Sequence, residues 1–167
     1  MQAGSFQGAA MATALFFSGA HTASATEIIR HEATGVPVAY AVEVPPGRTT
    51  VYLSGKLPAR VAGDGRSASP LPYGDTRMQT ISVLEQIRDQ LQGLGMGMQD
   101  VVKLQVFLVG GKENNGNMDL DGFAAGYAQF FGSSAGQPNL PARSTFQVAA
   151  LAHPGQRVEI EATAVRP

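Results

Sequence analysis

The chain has no cysteine and no tryptophan, and only 15% of its 167 residues are charged. Without thiols there can be no disulfide, no thiolate metal site and no cysteine nucleophile, and the redox compartment stays open. Positive charge is also scarce: 12 Lys and Arg stand against 13 Asp and Glu. The excess needed to neutralise phosphates is therefore missing, which argues against nucleic acid as a main partner. The one N-terminal apolar run is too short to span a bilayer, so no membrane association is expected. Neither a Gly-x-Ser-x-Gly elbow nor a P-loop lysine motif occurs. His21, His31 and His153 are scattered without a second ligand at helical or hairpin spacing, which argues against zinc.

Residues 1–25 contain no Lys, Arg, Asp or Glu; an apolar centre from Ala9 to Phe17 precedes Ala23-Ser24-Ala25. Small residues one and three positions before a cut suit signal peptidase, but the positive n-region is missing. The segment reads either as a secretory signal peptide, which would place the protein in a periplasm or outside the cell, or as a disordered extension of a cytoplasmic protein. What remains, residues 26–167, is expected to be a single domain, and 44% hydrophobic residues can furnish its core.

Within that domain the order reads strand, strand, helix, strand, helix, strand, strand. Val38, Tyr40, Val42 and Val44 alternate with smaller or polar residues, and Pro45-Pro46-Gly47 turns the chain into Val51-Tyr52-Leu53. Ala59 to Gly74 is rich in Gly, Ser and Pro and reads as a surface loop. A helix follows, with Thr76 and Gln79 at capping-box spacing and with Ile81, Leu84, Ile87, Leu91 and Leu94 recurring every three or four residues. Gly93-Leu94-Gly95-Met96-Gly97 closes that helix as a cap and turn, because a dinucleotide fingerprint has to open a helix after a strand. Val102, Leu104, Val106 and Leu108 alternate as a strand that ends in the Gly110–Gly116 loop. The second helix carries Leu120, Phe123, Tyr127 and Phe130 on one face, with Gly132 as its cap. Gly122 and Gly126 weaken such a helix and point to close packing. Covering these stripes economically takes an α+β fold with two helices on one face of a mixed sheet.

The last third carries the chemistry. Pro141-Ala142-Arg143-Ser144-Thr145-Phe146-Gln147-Val148 and Val158-Glu159-Ile160-Glu161-Ala162 both alternate with a period of two, and His153-Pro154-Gly155 lies between them as a turn signal. The expectation is a strand pair with two unlike faces. Phe146, Val148, Val158, Ile160 and Ala162 would form the apolar one, and Arg143, Thr145, Glu159 and Glu161 would share the other.

These two segments do not stand alone. With Leu53-Ser54-Gly55-Lys56-Leu57-Pro58, Gln79-Thr80 and Val83-Leu84-Glu85-Gln86-Ile87, Asp100-Val101-Val102-Lys103 with Val106-Phe107, and Tyr127 with Phe130-Phe131, the chain resembles the RidA (YjgF) group of imine and enamine deaminases, over roughly residues 36–166. The resemblance implies the ββαβαββ arrangement of a chorismate mutase of the bacillar type. It also implies a homotrimer with ligand sites in the clefts between subunits, and no cofactor or metal. The implied reaction is hydrolysis of a small 2-imino or enamino acid to the 2-oxo acid and ammonia, with a small-molecule carboxylate as substrate.

On the residues alone, Arg143 reads either as the partner of Glu159 or Glu161 in a salt bridge or as a binding group. In the resemblance it becomes the carboxylate clamp, since a planar guanidinium offers two parallel donors. Glu159 then matches the acidic residue that places or activates water, Ser54 and Gly55 a strand end where backbone approaches ligand, and Tyr40 the aromatic that closes the pocket. Thr145 takes the place of a cysteine and Ala124 that of an asparagine in the best-known members. A hydroxyl can replace one hydrogen-bonding group, but a methyl cannot. The competing reading is a trimeric small-acid-binding or chaperone-like protein that uses the same cleft without turnover. A ribonuclease role, sometimes attached to the family, finds no support in the charge balance.

Overall fold

The computed structural model describes residues 27–61 and 72–167. The signal-or-extension reading of residues 1–25 and most of the expected 59–74 loop lie outside the described residues. Six strands, β1 (Ile29–Glu32), β2 (Ala39–Glu43), β3 (Thr50–Lys56), β4 (Val101–Val109), β5 (Ala142–Val148) and β6 (Val158–Val165), form one sheet in the order β1-β2-β5-β4-β6-β3. Two helices, α1 (Thr76–Gly93) and α2 (Leu120–Tyr127), complete it. The mixed α+β class expected from the apolar stripes is the one observed, with β1 as an additional edge strand.

Strand β4 is the keel. It pairs in parallel with β5 and antiparallel with β6. Its alternation puts Leu104, Val106 and Leu108 on the side where α1 contributes Val83, Leu84, Ile87 and Leu91 and α2 contributes Phe123 and Tyr127. Val158, Ile160, Ala162 and Ala164 of β6 join the same cluster. Each fully buried Val, Leu or Ile among them contributes about 1.5–3 kcal/mol relative to exposure.

The helix ends are set one residue at a time. Asp75, not Thr76, caps α1, its carboxylate accepting from the Met78 N–H at 2.8 Å. Gln79 is therefore free of a capping box. It lies buried and donates to the carbonyls of Gly74 and Gly155 while accepting from the Arg157 N–H at 2.7 Å, tying the start of α1 to the start of β6. Helix α1 stops at Gly93, with Gly95 at φ +71°, as its Gly-Leu-Gly ending predicts. Helix α2 is shorter than its apolar repeat: Asp119 caps it, it ends at Tyr127, and Phe130 and Phe131 reach the core from the turn beyond. Gly126 lets the helices close up, since a Cβ there would lie 2.7 Å from the Cβ of Thr80. Gly122 instead faces the Asp119 carboxylate that caps its own helix.

Candidate functional site

The strand pair expected at the C-terminal end does not form. Strand β4 lies between β5 and β6, so residues 149–157 join two strands of opposite direction that never touch. The consequence is a change of phase. Arg143 stands level with Leu104 and Thr145 with Val106, on the helix side, whereas Glu159 stands level with Phe107 and Glu161 with Gln105, on the open side. Phe146, expected in the core, is on the open face at 48% exposure and stacks on Phe107 with ring centroids 6.0 Å apart. The alternation of each strand was legible; the joint polar face of Arg143 and Glu159 within one chain is not what the register produces.

The arginine side of this division is built by α2. Phe123 and Tyr127, one turn apart on its buried face, present their rings to β5, and the Arg143 guanidinium carbon lies 5.0 Å from the first centroid and 4.5 Å from the second. Among the described residues no carboxylate lies within salt-bridge distance of Arg143, so the internal pairing with Glu159 or Glu161 is overturned. Burial lowers the Arg143 pKa from its ordinary value, and the Tyr127 hydroxyl works against that shift. The group stays cationic in any case, because guanidinium is not deprotonated in proteins. It is a half-buried cation on an aromatic bed. Thr145 follows two residues later on the same side. Ala124 is exposed on α2 and adds no polar group there.

The carboxylate side is built by β3 and β6. A bulge interrupts their pairing between Leu53 and Lys56, and in it Gly55 comes up against Glu159. A Cβ at Gly55 would lie 3.0 Å from the Glu159 carboxyl carbon and closer still to one of its oxygens. The glycine is thus the space that the carboxylate occupies. Ser54 is exposed beside it, and Glu161 accepts from the Gln105 amide at 3.2 Å. A concavity of about 610 Å³ covers part of this open face, with Tyr52, Ser54, Lys103, Gln105 and Glu161 on its wall but neither Glu159 nor Arg143.

Tyr40, on β2, is 70% exposed and rests against the ring of His31 at 5.4 Å. The structure thus gathers Arg143 with Thr145, and Glu159 with Gly55 and Ser54, as two clusters on opposite sides of one sheet. Phe123 and Tyr127 are the residues that sequence reasoning left without a site role. Their signal was an aromatic pair at i and i+4 on a helix adjoining an arginine strand. Among the described residues there is no cluster of three His, Asp or Glu able to hold a metal ion, and no helix is long and apolar enough to cross a membrane.

Residues 32–166 match the family described as Endoribonuclease L-PSP. Protein DfrA of Myxococcus xanthus is 34% identical over 132 residues, 77% of this chain and 85% of that protein. The human 2-iminobutanoate/2-iminopropanoate deaminase is 32% identical over 117 residues, 70% of this chain and 73% of that one. Among solved structures, a protein of unknown function of the conserved Rid family from Yersinia pestis superposes with a TM-score of 0.59 at 27% identity, covering 83% of this chain and 96% of its own.

Proposed function

Because the chain belongs to the RidA/YjgF family, the one described as Endoribonuclease L-PSP, we propose that it hydrolyses small 2-imino or enamino acids to 2-oxo acids and ammonia, at sites completed between copies of the chain in a homotrimer. The observation that carries this reading is the Arg143 guanidinium, half-buried on Phe123 and Tyr127 with no carboxylate from its own described chain in reach. A desolvated cation without an internal counter-ion is a site for a small anion, and each charge-assisted hydrogen bond to it contributes about 1.5–3 kcal/mol. Division into two half-sites supports the subunit contact: the open side bearing Glu159 of one copy has to meet the arginine side of the next.

In the proposed chemistry the substrate carboxylate lies across the two donor edges of Arg143. The C=N carbon next to that carboxylate is electrophilic as it stands. Water placed by the Glu159 carboxylate adds to it, its proton passing through that carboxylate to the nitrogen, and ammonia leaves as the carbonyl forms. Thr145 offers a hydroxyl beside the clamp, Ser54 a second one beside Glu159, and Tyr40 closes the cleft. No cofactor enters these steps.

The test generates the imine in situ with an amino-acid oxidase and follows its decay. Wild type should accelerate decay and Arg143→Ala should abolish the acceleration. Equal decay with both proteins refutes catalysis at this site. Binding of 2-oxobutyrate lost in Arg143→Ala, with no imine turnover by wild type, would instead identify a non-catalytic small-acid binder.

A further inference from the structure

Tyr127 touches both the Arg143 guanidinium and the backbone that leads into Tyr40. Its side chain is fully enclosed at the end of α2, stacked on Phe131 with centroids 4.9 Å apart, and its ring face lies under Arg143. Its hydroxyl donates to the Pro37 carbonyl at 3.1 Å. A residue placed there only to fill the core has no use for that hydroxyl. Phenylalanine would stack on Phe131 and keep a ring beneath the guanidinium without taking a phenol out of water, but it would give up the hydroxyl's bonds to the Pro37 carbonyl and to Arg143. Pro37 lies three residues before Tyr40.

The same short segment is held from its other side. The Ala39 N–H donates to the Pro141 carbonyl at 3.1 Å, and Ala39 pairs with Ala142, the residue before Arg143. The strand bearing Tyr40 is therefore fastened to both elements that present the arginine, to β5 through backbone and to α2 through one phenol. Burial pushes the Tyr127 pKa up to about 12, against an opposing pull from Arg143, so the hydroxyl keeps its proton wherever the protein works.

We propose that Tyr127 is a positioning residue of the site, its ring seating the Arg143 guanidinium and its hydroxyl anchoring the Pro37 carbonyl, so that one side chain sets the placement of Tyr40 relative to the carboxylate clamp. The inference rests on the reading of Arg143 as that clamp and extends it to the aromatic that closes over the ligand.

The discriminating change is Tyr127→Phe, which keeps the ring and removes the anchor. Since the chain contains no tryptophan, Tyr40→Trp supplies a single indole, excited at wavelengths the tyrosines do not absorb, at the end of the anchored segment. In that background, adding Tyr127→Phe should lower the anisotropy of the introduced indole and raise its quenching by acrylamide. With Tyr40 intact, Tyr127→Phe should leave the 2-oxobutyrate Kd within about twofold and lower kcat for the imine about two- to tenfold, the range one hydrogen bond spans. A core-filling role would leave anisotropy, Kd and kcat at 25 °C unchanged, whatever Tm does; that result overturns the proposal, as does an unaltered anisotropy together with lost 2-oxobutyrate binding. If wild type binds 2-oxobutyrate but turns over no imine, the deaminase reading fails, and the anisotropy and binding comparisons still decide for or against Tyr127.

Discussion

Replacing Gly55 by alanine adds one methyl group, and the structure says where that group goes. It would lie 3.0 Å from the Glu159 carboxyl carbon and 3.2 Å from its Cγ, with one carboxylate oxygen nearer than either. Real Cβ atoms do not tolerate such an approach, so something moves, and the end of a glutamate side chain moves more cheaply than the bulged backbone of β3 or the core-facing backbone of β6. Gly55 is not among the positive-φ glycines, so alanine strains no dihedral there. It even narrows the unfolded ensemble, a gain of about 0.4–1 kcal/mol. Stability should therefore stay within about 1 kcal/mol of wild type, the gain offsetting the displaced side chain.

Activity should not survive so well. In the proposed chemistry Glu159 aims water, which a displaced carboxylate could not do, and a positioned general base is worth about 10²–10⁴ in rate. Gly55→Ala should lose most of that factor, as Glu159→Gln should. The assay is a double-mutant cycle on imine turnover, with urea unfolding run in parallel. Because both changes act through one carboxylate, the double variant should be no slower than Glu159→Gln alone. Full activity in Gly55→Ala, or two losses that simply add, would refute the idea that the glycine exists to make room for the acid.

Two further outcomes follow from the α2 packing. The folded-state pKa of Tyr127 is raised from 10.0 to about 12, so its contribution is complete below pH 10 and is lost as pH climbs towards 12; over that window unfolding free energy should fall by up to about 2.7 kcal/mol more in wild type than in Tyr127→Phe, as equilibrium denaturation at each pH would measure. Gly126→Ala would bring a Cβ to 2.7 Å from the Thr80 Cβ and 3.0 Å from the Arg77 carbonyl oxygen; overpacking of about 1–3 kcal/mol exceeds the roughly 1 kcal/mol that alanine gains over glycine in a helix, so urea unfolding should show net destabilisation.

The difference between what could be read from the residues and what the fold adds lies in range. Local signals were sufficient for α1, whose apolar repeat and Gly-Leu-Gly stop predict its course, although the cap falls on Asp75. They were sufficient for the period of β4, β5 and β6 but not for the phase between them, because phase is decided by the neighbour in the sheet. Strand β4, some forty residues upstream of β5, inserts itself where a hairpin was expected. That one insertion moves Arg143 and Thr145 to the helix side and leaves Glu159 on the open one.

Strand β1 escaped notice for another reason. Ile29-Arg30-His31-Glu32 has no apolar alternation, and it is held by Arg30, which donates to the carbonyls of Val101, Leu140 and Gln99 at 2.8–2.9 Å. Of the proposed site, family motifs pointed to Arg143, Glu159, Ser54, Gly55 and Tyr40. The aromatic bed of Phe123 and Tyr127 became visible only when β5 was laid beside α2.

A working site is proposed to take Arg143 from one copy of the chain and Glu159 from another. Refolding an equal mixture of the Arg143→Ala and Glu159→Gln variants tests it directly. If the pair comes from different copies, random assembly into a closed ring restores about one site in four, and two inactive proteins should together regain about a quarter of wild-type imine turnover. Should the mixture stay as inactive as its parts while mixed assemblies form, the two residues do not meet across a subunit contact, and the account is wrong.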